Sequence, residues 1–405
     1  MKRVNSEQRI KNKIMKLAIK LAYRNLIGAG LRTWLNVIVL SFSFVVIIWA
    51  KGILAGWDYQ AKTDMKNWEI GGGQYWHEAY DPYDPFTLTE SHAPIPDGVR
   101  NEIENGRMEP VLIAQGTIYP GGRMQSVLIK GINPNQNLLA LPSQKLDTAV
   151  NAIPAIIGAN MARTNKLKIG DYVTMQWRDA NGTFDAAELL ITDIFSTNVP
   201  SVDVGQVWIA LEQLQSILLL PGEATTLTYR DNGQERAAFE NWVHRSEKEL
   251  TAEIDEVIKT KTIGQSIFYI ILLLLAMLAI FDTQVLSIFR RQKEIGTYVA
   301  LGYTKREVVG LFTVEGAMHS VLAALVAAVY GIPLLTWQAK TGWTMPGDAS
   351  DYGMAMAQTL YPMYSFGLVV STVLIVMLTT AAVSYWPSRK IAKMNPTDAL
   401  RGKIQ

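Results

Sequence analysis

The sequence has no cysteine and only four histidines, and these two shortages close off several kinds of site. Without cysteine neither a disulfide framework nor a thiolate metal centre can form, and four scattered imidazoles do not make a structural zinc site. No G-x-x-x-x-G-K-S/T phosphate loop is present, because Gly71-Gly72-Gly73 lacks the lysine that would reach a nucleotide. His77-Glu78 has no second histidine on the same helical face, and no G-x-S-x-G elbow occurs. The chain is therefore expected not to be an enzyme, with no catalytic residue, no metal and no cofactor of its own. Missing disulfides do not argue against export, since an exposed domain of about 200 residues buries enough core without them.

Charge is missing as well, from four stretches: Trp34–Ala50, Ile263–Ile288, Val308–Trp337 and Met363–Trp386 hold only Asp282 and Glu315 between them. Apolar residues make up 49% of the chain, and these runs are long enough to cross a bilayer. Ile263 to Phe281 alone contains twelve Leu, Ile or Phe residues, which favours insertion by about 4 to 7 kcal/mol. Neither Gln265 and Ser266 nor the terminal Asp282 offsets that.

The net charge of +2 hides an asymmetry. Met1 to Thr33 carries nine basic residues and one acidic; residues 290–307 carry five against two; residues 387–405 carry five against one. Between Lys51 and Thr262 the balance reverses, to 18 basic against 28 acidic. Basic residues flanking spans mark the cytoplasmic side, which places both termini and the 290–307 connector inside and the acidic segment outside. The expected fold is a membrane α-helical protein of four transmembrane helices, with a large α+β extracytoplasmic domain inserted between the first and second spans. Its parts are a cytoplasmic amphipathic elbow helix (1–33), span one (34–54), the external domain with stalk helices (55–262) and span two (263–289). A coupling loop (290–307), span three (308–337), a short external loop (338–362), span four (363–386) and a cytoplasmic tail (387–405) follow. The first run has a basic leader and a poor cleavage site at Trp49-Ala50-Lys51, so it reads as an uncleaved signal anchor.

Glu7 to Leu26 alternates Ile10, Ile14, Leu17 and Leu21 with basic residues, as a helix lying on an anionic leaflet would. Gly52 to Trp68 is expected to extend the first span as a stalk. Glu109–Ile118 and Met124–Ile132, split by Pro120-Gly121-Gly122, read as a hairpin. Strands are expected at Ile153–Ile157, Gly170–Arg178, Ala187–Phe195, Val207–Ala210 and Thr225–Arg230, with helices at Gly158–Lys166 and Leu211–Leu220. Gln234 to Lys261 reads as one long amphipathic helix feeding the second span. Gly331-Ile332-Pro333 is expected to bend the third.

Within the spans, Asn36 and Ser43 share a helical face and read as packing. Asp282 lies about 12 Å from the cytoplasmic end of its helix. Glu315 lies at a similar depth, with His319 four residues on along the same face. Such groups are functional candidates by default, and snorkelling to the interface is the alternative reading. The connector's Ile295, Val299 and Leu301 are apolar anchors among Lys293, Glu294, Lys305 and Arg306, an arrangement suited to seating in a partner's groove. Gly296 and Gly302 are expected to shape a tight corner at either end.

Arg291-Gln292-Lys293-Glu294-Ile295-Gly296, then Ala300-Leu301-Gly302-Tyr303-Thr304-Lys305-Arg306 and Glu315-Gly316, resembles the "REIG…ALGAT…EG" signature of FtsX-like and MacB-like ABC transporter permeases. Pro387-Ser388-Arg389-Lys390-Ile391-Ala392, continuing through Asn395-Pro396 to Ala399-Leu400-Arg401, resembles that family's C-terminal pattern. Leu21-Ala22-Tyr23-Arg24-Asn25-Leu26 resembles its N-terminal one. Length, the lack of a fused ATPase and the stretch Gly158–Asp171 leading to Ile191–Phe195 make the likeness greatest to lipoprotein-releasing permeases of the LolC/LolE type.

The resemblance implies a permease paired with a second copy or a paralogue and with a separate cytoplasmic ATPase, which binds ATP and Mg. It implies residence in the bacterial inner membrane with the large domain periplasmic, and ATP-driven motion passed outward to extract lipoproteins toward a periplasmic carrier. Its alternatives are efflux of peptides or drugs with an adaptor and an outer-membrane channel, and signalling to a cell-wall hydrolase. Arg291, Lys293, Glu294, Ile295, Gly296, Val299, Leu301, Gly302, Lys305 and Arg306 would form the ATPase-coupling surface. No nucleic acid is expected as a partner.

Overall fold

The computed structural model describes residues 30–148, 151–231, 238–344 and 359–393. The amphipathic leader with Leu21–Leu26, the loop aspartates Asp348 and Asp351 and the tail from Met394 onward lie outside the described residues. The chain divides into two compact units, one of residues 1–57, 259–343 and 361–405, the other of 58–258 and 344–360.

The first unit is built from α1 (Leu31–Met65), α2 (Ala252–Arg290), the short α3 (Gln292–Ala300), α4 (Lys305–Thr341) and α5 (Phe366–Ser388). All but α3 are long and apolar enough to cross a membrane. Val37, Leu40, Phe44 and Ile48 recur at helical spacing and form one stripe of α1, clustered with Ala276 and Ile280 of α2, Ala323 and Ala327 of α4 and Val376 of α5. The small alanines let these helices approach closely. Facing away, Leu35, Ile38 and Phe42 on α1 and Ile267, Ile271, Leu274 and Leu278 on α2 are exposed. Water would oppose so large an apolar surface, whereas lipid covers it without cost. Pro333 sits inside α4, which continues through Gly331-Ile332-Pro333 without interruption.

Helices α1 and α2 each contain residues of both units. Beyond Met65 the chain makes a π-helical turn, Lys66–Ile70, and then enters the second unit's sheet. Its strands are β1 (Gly73–His77), β2 (Met108–Ile118), β3 (Gln125–Ile132), β4 (Ile153–Gly158), β5 (Tyr172–Arg178), β6 (Phe184–Phe195), β7 (Gln206–Ala210), β8 (Thr226–Tyr229) and β9 (Trp242–Ser246). They run in the order β9-β1-β8-β2-β3-β7-β4-β6-β5, and β5 also pairs with β2. Six strands thereby close into a ring, from which β8, β1 and β9 extend as a flap. The pairs β3/β7 and β4/β6 are parallel; β2/β3 is the expected hairpin, in register from Leu112↔Gly131 to Ile118↔Gln125.

Alternation fills the ring. Ile118, Val127, Ile129, Ala155, Ile157, Val173, Met175, Trp177, Leu189, Ile191, Val207 and Ile209 share one buried cluster, each set two residues apart along its strand. Leu211 and Leu214 of the Leu211–Leu218 helix belong to the same core. Residues on the opposite pleat, including Ile113, Ile132, Ile156 and Trp208, join a second cluster with Leu139, Leu141 and Val202. On that side Lys130 is nearly buried; its ammonium lies 3.2 Å from Glu69 Oε1 and 5.1 Å from the Trp208 ring. The Ser201 hydroxyl donates to the other Glu69 oxygen at 2.7 Å. The π-helical turn is thus pinned to the ring wall.

The helix expected over Gln234–Lys261 is corrected. Residues 232–237 are outside the described set, Trp242–Ser246 forms strand β9 against β1, and helical structure starts only at Glu247. The edge of β1 takes a partner there, with Trp242 buried beside Tyr75, Tyr229 and Phe239. Ser246 then caps the new helix: its hydroxyl accepts from the Glu249 N–H while the Glu249 carboxylate accepts from the Ser246 N–H.

Candidate functional site

The connector is a seated helix rather than a free loop. Arg291, with φ −106° and ψ 25°, separates α2 from α3. Its side chain binds in three directions. Nη1 donates to both carboxylate oxygens of Glu315, at 2.7 and 2.8 Å, and Nε donates to Glu294 at 2.7 Å. The guanidinium lies 4.8 Å from the centre of the Phe312 ring. A planar fork can satisfy a carboxylate and stack on a ring at once, which lysine cannot. Arg291 and Glu315 are 19% and 13% exposed at the side chain, so solvent screens this pair only weakly.

Below that clamp Ile288, Ile295, Val308, Val309, Phe312 and Ile391 form one buried cluster, with Val299, Tyr298 and Tyr303 packed against it. α3 ends in a left-handed glycine, Gly302 with φ +96°. The Gly302 N–H bonds to the Val299 carbonyl and the Tyr303 N–H to that of Tyr298, the paired bonds of a Schellman stop. α4 opens with a capping box: the Thr304 hydroxyl accepts from the Glu307 N–H, and the Glu307 carboxylate accepts from the Thr304 N–H at 2.8 Å. Both ends of the turn are therefore fixed by local chemistry.

This arrangement redistributes the expected roles. Ile295 is 1% exposed and faces the connector's own core, so it anchors α3 rather than reaching a partner; Val299 sides with it. Gly296 is buried inside α3 and shapes no corner, unlike Gly302. Leu301, 72% exposed, is the apolar residue left facing outward, with Lys293 and Arg306 also exposed and Lys305 half-buried. Glu294 is held by Arg291.

The intramembrane candidates separate in the same way. Glu315 and His319 share a face but do not pair through their side chains: the carboxylate goes to Arg291, and His319 Nδ1 lies 3.2 Å from the Glu315 and Gly316 carbonyls. His319 is 5% exposed. Beside it Gly316 allows a close crossing, because a Cβ there would overlap the Ser384 side chain and lie 2.8 Å from Gln284 Nε2. Gln284 of α2 and Ser384 of α5 thus converge on α4. The Asn36 amide donates to the Thr283 hydroxyl and to the Ala279 carbonyl at 3.3 Å, tying α1 to α2. Ser43 donates to Val39 of its own helix at 3.0 Å. Asp282 is exposed and makes no ion pair among the described residues.

The sequence reading overlooked three parts of this site. Arg291 and Glu315 meet across a turn and a helix, and nothing at their spacing announces it. Thr304-x-x-Glu307 is a capping-box pattern that was there to be read. Ile391, just past α5, shows its role only in three dimensions.

Residues 266–396 match the FtsX-like permease C-terminal domain. This FtsX-like region holds the connector, the Arg291 clamp, the Gly316 crossing and Ile391. An uncharacterized ABC transporter permease of Methanocaldococcus jannaschii is 29% identical to this chain over 131 residues, 32% of this chain and 30% of the relative. The chain thus spans under a third of the length of the curated relative it matches. The family match covers residues 266–396, and the ring of strands lies outside it.

Proposed function

We propose that this chain is the permease subunit of an ABC transporter, and that a separate cytoplasmic ATPase, using ATP and Mg, docks on the connector and moves it. The supporting observation is the Arg291 clamp. A docked partner's push on Leu301, Lys293 and Arg306 has little slack to take up, because α3 is bolted to α4 through Glu315 and Phe312 and to the last helix through Ile391. Motion of α4 then reaches α2 through the Gly316 crossing, and α1 and α2 carry it into the extracytoplasmic domain. Work is done there without a catalytic group in this chain. The membrane is the inner one, both termini and the connector are cytoplasmic, and the strand-rich unit is periplasmic. A second copy or a paralogue completes the transporter.

The cargo in this reading is lipoprotein drawn from the outer leaflet toward a periplasmic carrier, a choice that rests on the resemblance to lipoprotein-releasing permeases. Leu301→Asp tests the docking surface. Because Leu301 is 72% exposed, the variant is expected to keep its thermal stability in detergent while losing at least tenfold in recovery of a co-expressed ATPase. Undiminished recovery would remove the connector from the interface. Release of a labelled lipoprotein from ATP-loaded proteoliposomes tests the cargo; export of a drug or peptide without such release would favour efflux.

A further inference from the structure

Strand β2 is a ring member with an interrupted edge. One edge pairs with β3 from Leu112 to Ile118. The other pairs with β8 at Met108–Val111 and with β5 at Gly116–Ile118, so that Leu112–Gln115 have no laddered partner on that side, although the two-residue strand Glu223–Ala224 packs alongside β2 without pairing to it. The Val111 carbonyl accepts from Thr225 N–H and the Tyr119 N–H donates to the Thr174 carbonyl, which sets the odd-numbered residues of β2 toward this edge. By alternation the main-chain groups of Ile113 and Gln115 turn toward it too. The Ile113 N–H is met by the Thr225 hydroxyl at 3.0 Å; the Ile113 carbonyl and the Gln115 N–H face the gap.

The gap opens into a cleft of about 670 Å³ whose walls include Ile113 to Gly116, Leu218 and Leu220. Two phenylalanines stand on its rim, Phe86 at 87% exposure and Phe184 at 69%. Phe86 belongs to the short Pro85–Thr89 helix and Phe184 opens β6. Isolated exposed aromatics are ordinary, but here two line the cleft beside an unladdered strand edge, where an extended peptide can add by main-chain hydrogen bonds and set apolar side chains against them. Main-chain groups supply the pairing, and alternate side chains fall against the rim. The rim carries one net negative charge: Asp179 offsets Arg178, whose Nε donates to the Gly182 carbonyl at 3.1 Å, and Glu90 is exposed and unpaired by any cation among the described residues. With 28 acidic against 18 basic residues between Lys51 and Thr262, the surroundings favour a basic ligand.

We infer that this cleft binds an extended polypeptide with apolar side chains at alternate positions and basic flanks, which adds a short strand to β2 at Ile113–Gln115. The inference stands apart from the ATPase docking reading, and Leu301→Asp leaves it untouched.

The test uses the full chain in lipid nanodiscs and a fluorescein-labelled peptide, Lys-Thr-Val-Thr-Val-Thr-Val-Lys. Saturable binding is expected, with exchange of the Gln115 amide hydrogen slowed at least about fivefold in the complex. Three changes are each expected to weaken binding at least about tenfold: N-methylation of alternate peptide nitrogens, Phe86→Ala together with Phe184→Ala, and replacement of both peptide lysines by glutamate. The two phenylalanines are exposed, so their loss leaves folding intact, as an unchanged melting curve would verify. No saturable binding, equal binding of the N-methylated peptide, or an unaltered Gln115 amide would each overturn the inference.

Discussion

Removing the Glu315 carboxylate is the sharpest perturbation of the connector. Arg291 gives it two charge-assisted hydrogen bonds, at 2.7 and 2.8 Å, from a side chain 19% exposed. Hydrogen bonds to charged groups are worth about 1.5 to 3 kcal/mol each, and breaking a buried pair costs about 3 to 5 kcal/mol because it strands a charge. Arg291 keeps Glu294 and the Phe312 ring, which moves the expectation to the lower end. Glu315→Ala should therefore destabilise the membrane unit by about 3 kcal/mol, and Glu315→Gln, which keeps one acceptor, by about half that. Arg291→Leu alone should cost a similar amount. The double variant should cost well under the two together, with a coupling energy of about 2 kcal/mol. Thermal or denaturant unfolding in one detergent, read by hydrogen exchange at Ile295 and Phe312, supplies the four corners of that cycle. If the clamp transmits motion, Glu315→Gln in the reconstituted transporter also hydrolyses ATP at near the native rate but loses cargo release. Additive single effects, or native release from the Glu315→Ala protein, would refute the reasoning.

Two further outcomes follow from packing and burial. Gly316→Val inserts methyl groups where a Cβ alone overlaps Ser384; it should cost about 1 to 3 kcal/mol of thermal stability, partly restored by Ser384→Gly, and no loss would refute a close crossing of α4 with α5 at Gly316. In the strand unit Glu109 is buried, with the Asn133 N–H donating to it at 2.8 Å, and burial pushes its carboxyl up to about 8 from 4.5. A carboxyl raised on folding is easiest to hold while protonated, so its stability is fully present below the unfolded value and is lost as pH climbs toward the folded one. Between about pH 5 and about pH 7 the loss is about 2.5 kcal/mol. Glu109→Gln should flatten that slope in hydrogen exchange of β2, and an unchanged slope would place the titration elsewhere.

The parts of this molecule that were legible in the sequence are those set by local pattern. Uncharged runs gave the long helices, because an apolar stretch of that length has few other stable environments. The Pro120-Gly121-Gly122 break between two alternating segments gave the β2/β3 hairpin. The misreading at Trp242–Ser246 has the same origin: Phe239 and Val243 stand four apart, as on a helix, but the need of β1 for an edge partner outweighs that spacing. Tertiary context overrides a weak local preference. At the connector the charged and apolar residues were recognisable, yet which of them face inward was not. Ile295 and Leu301 are equally apolar, and only the presence of Ile391 and Phe312 on one side buries the first and leaves the second bare.

The closed ring has a consequence in time. β2 finds its hairpin partner within a few residues, but its other edge waits for β5 and, later still, for β8. Long-range closures of this kind are slow. A chain still being made therefore carries an incomplete β2 edge until the segment up to Tyr229 has arrived. Whatever guards exposed strands should be needed during synthesis and dispensable once β8 has joined.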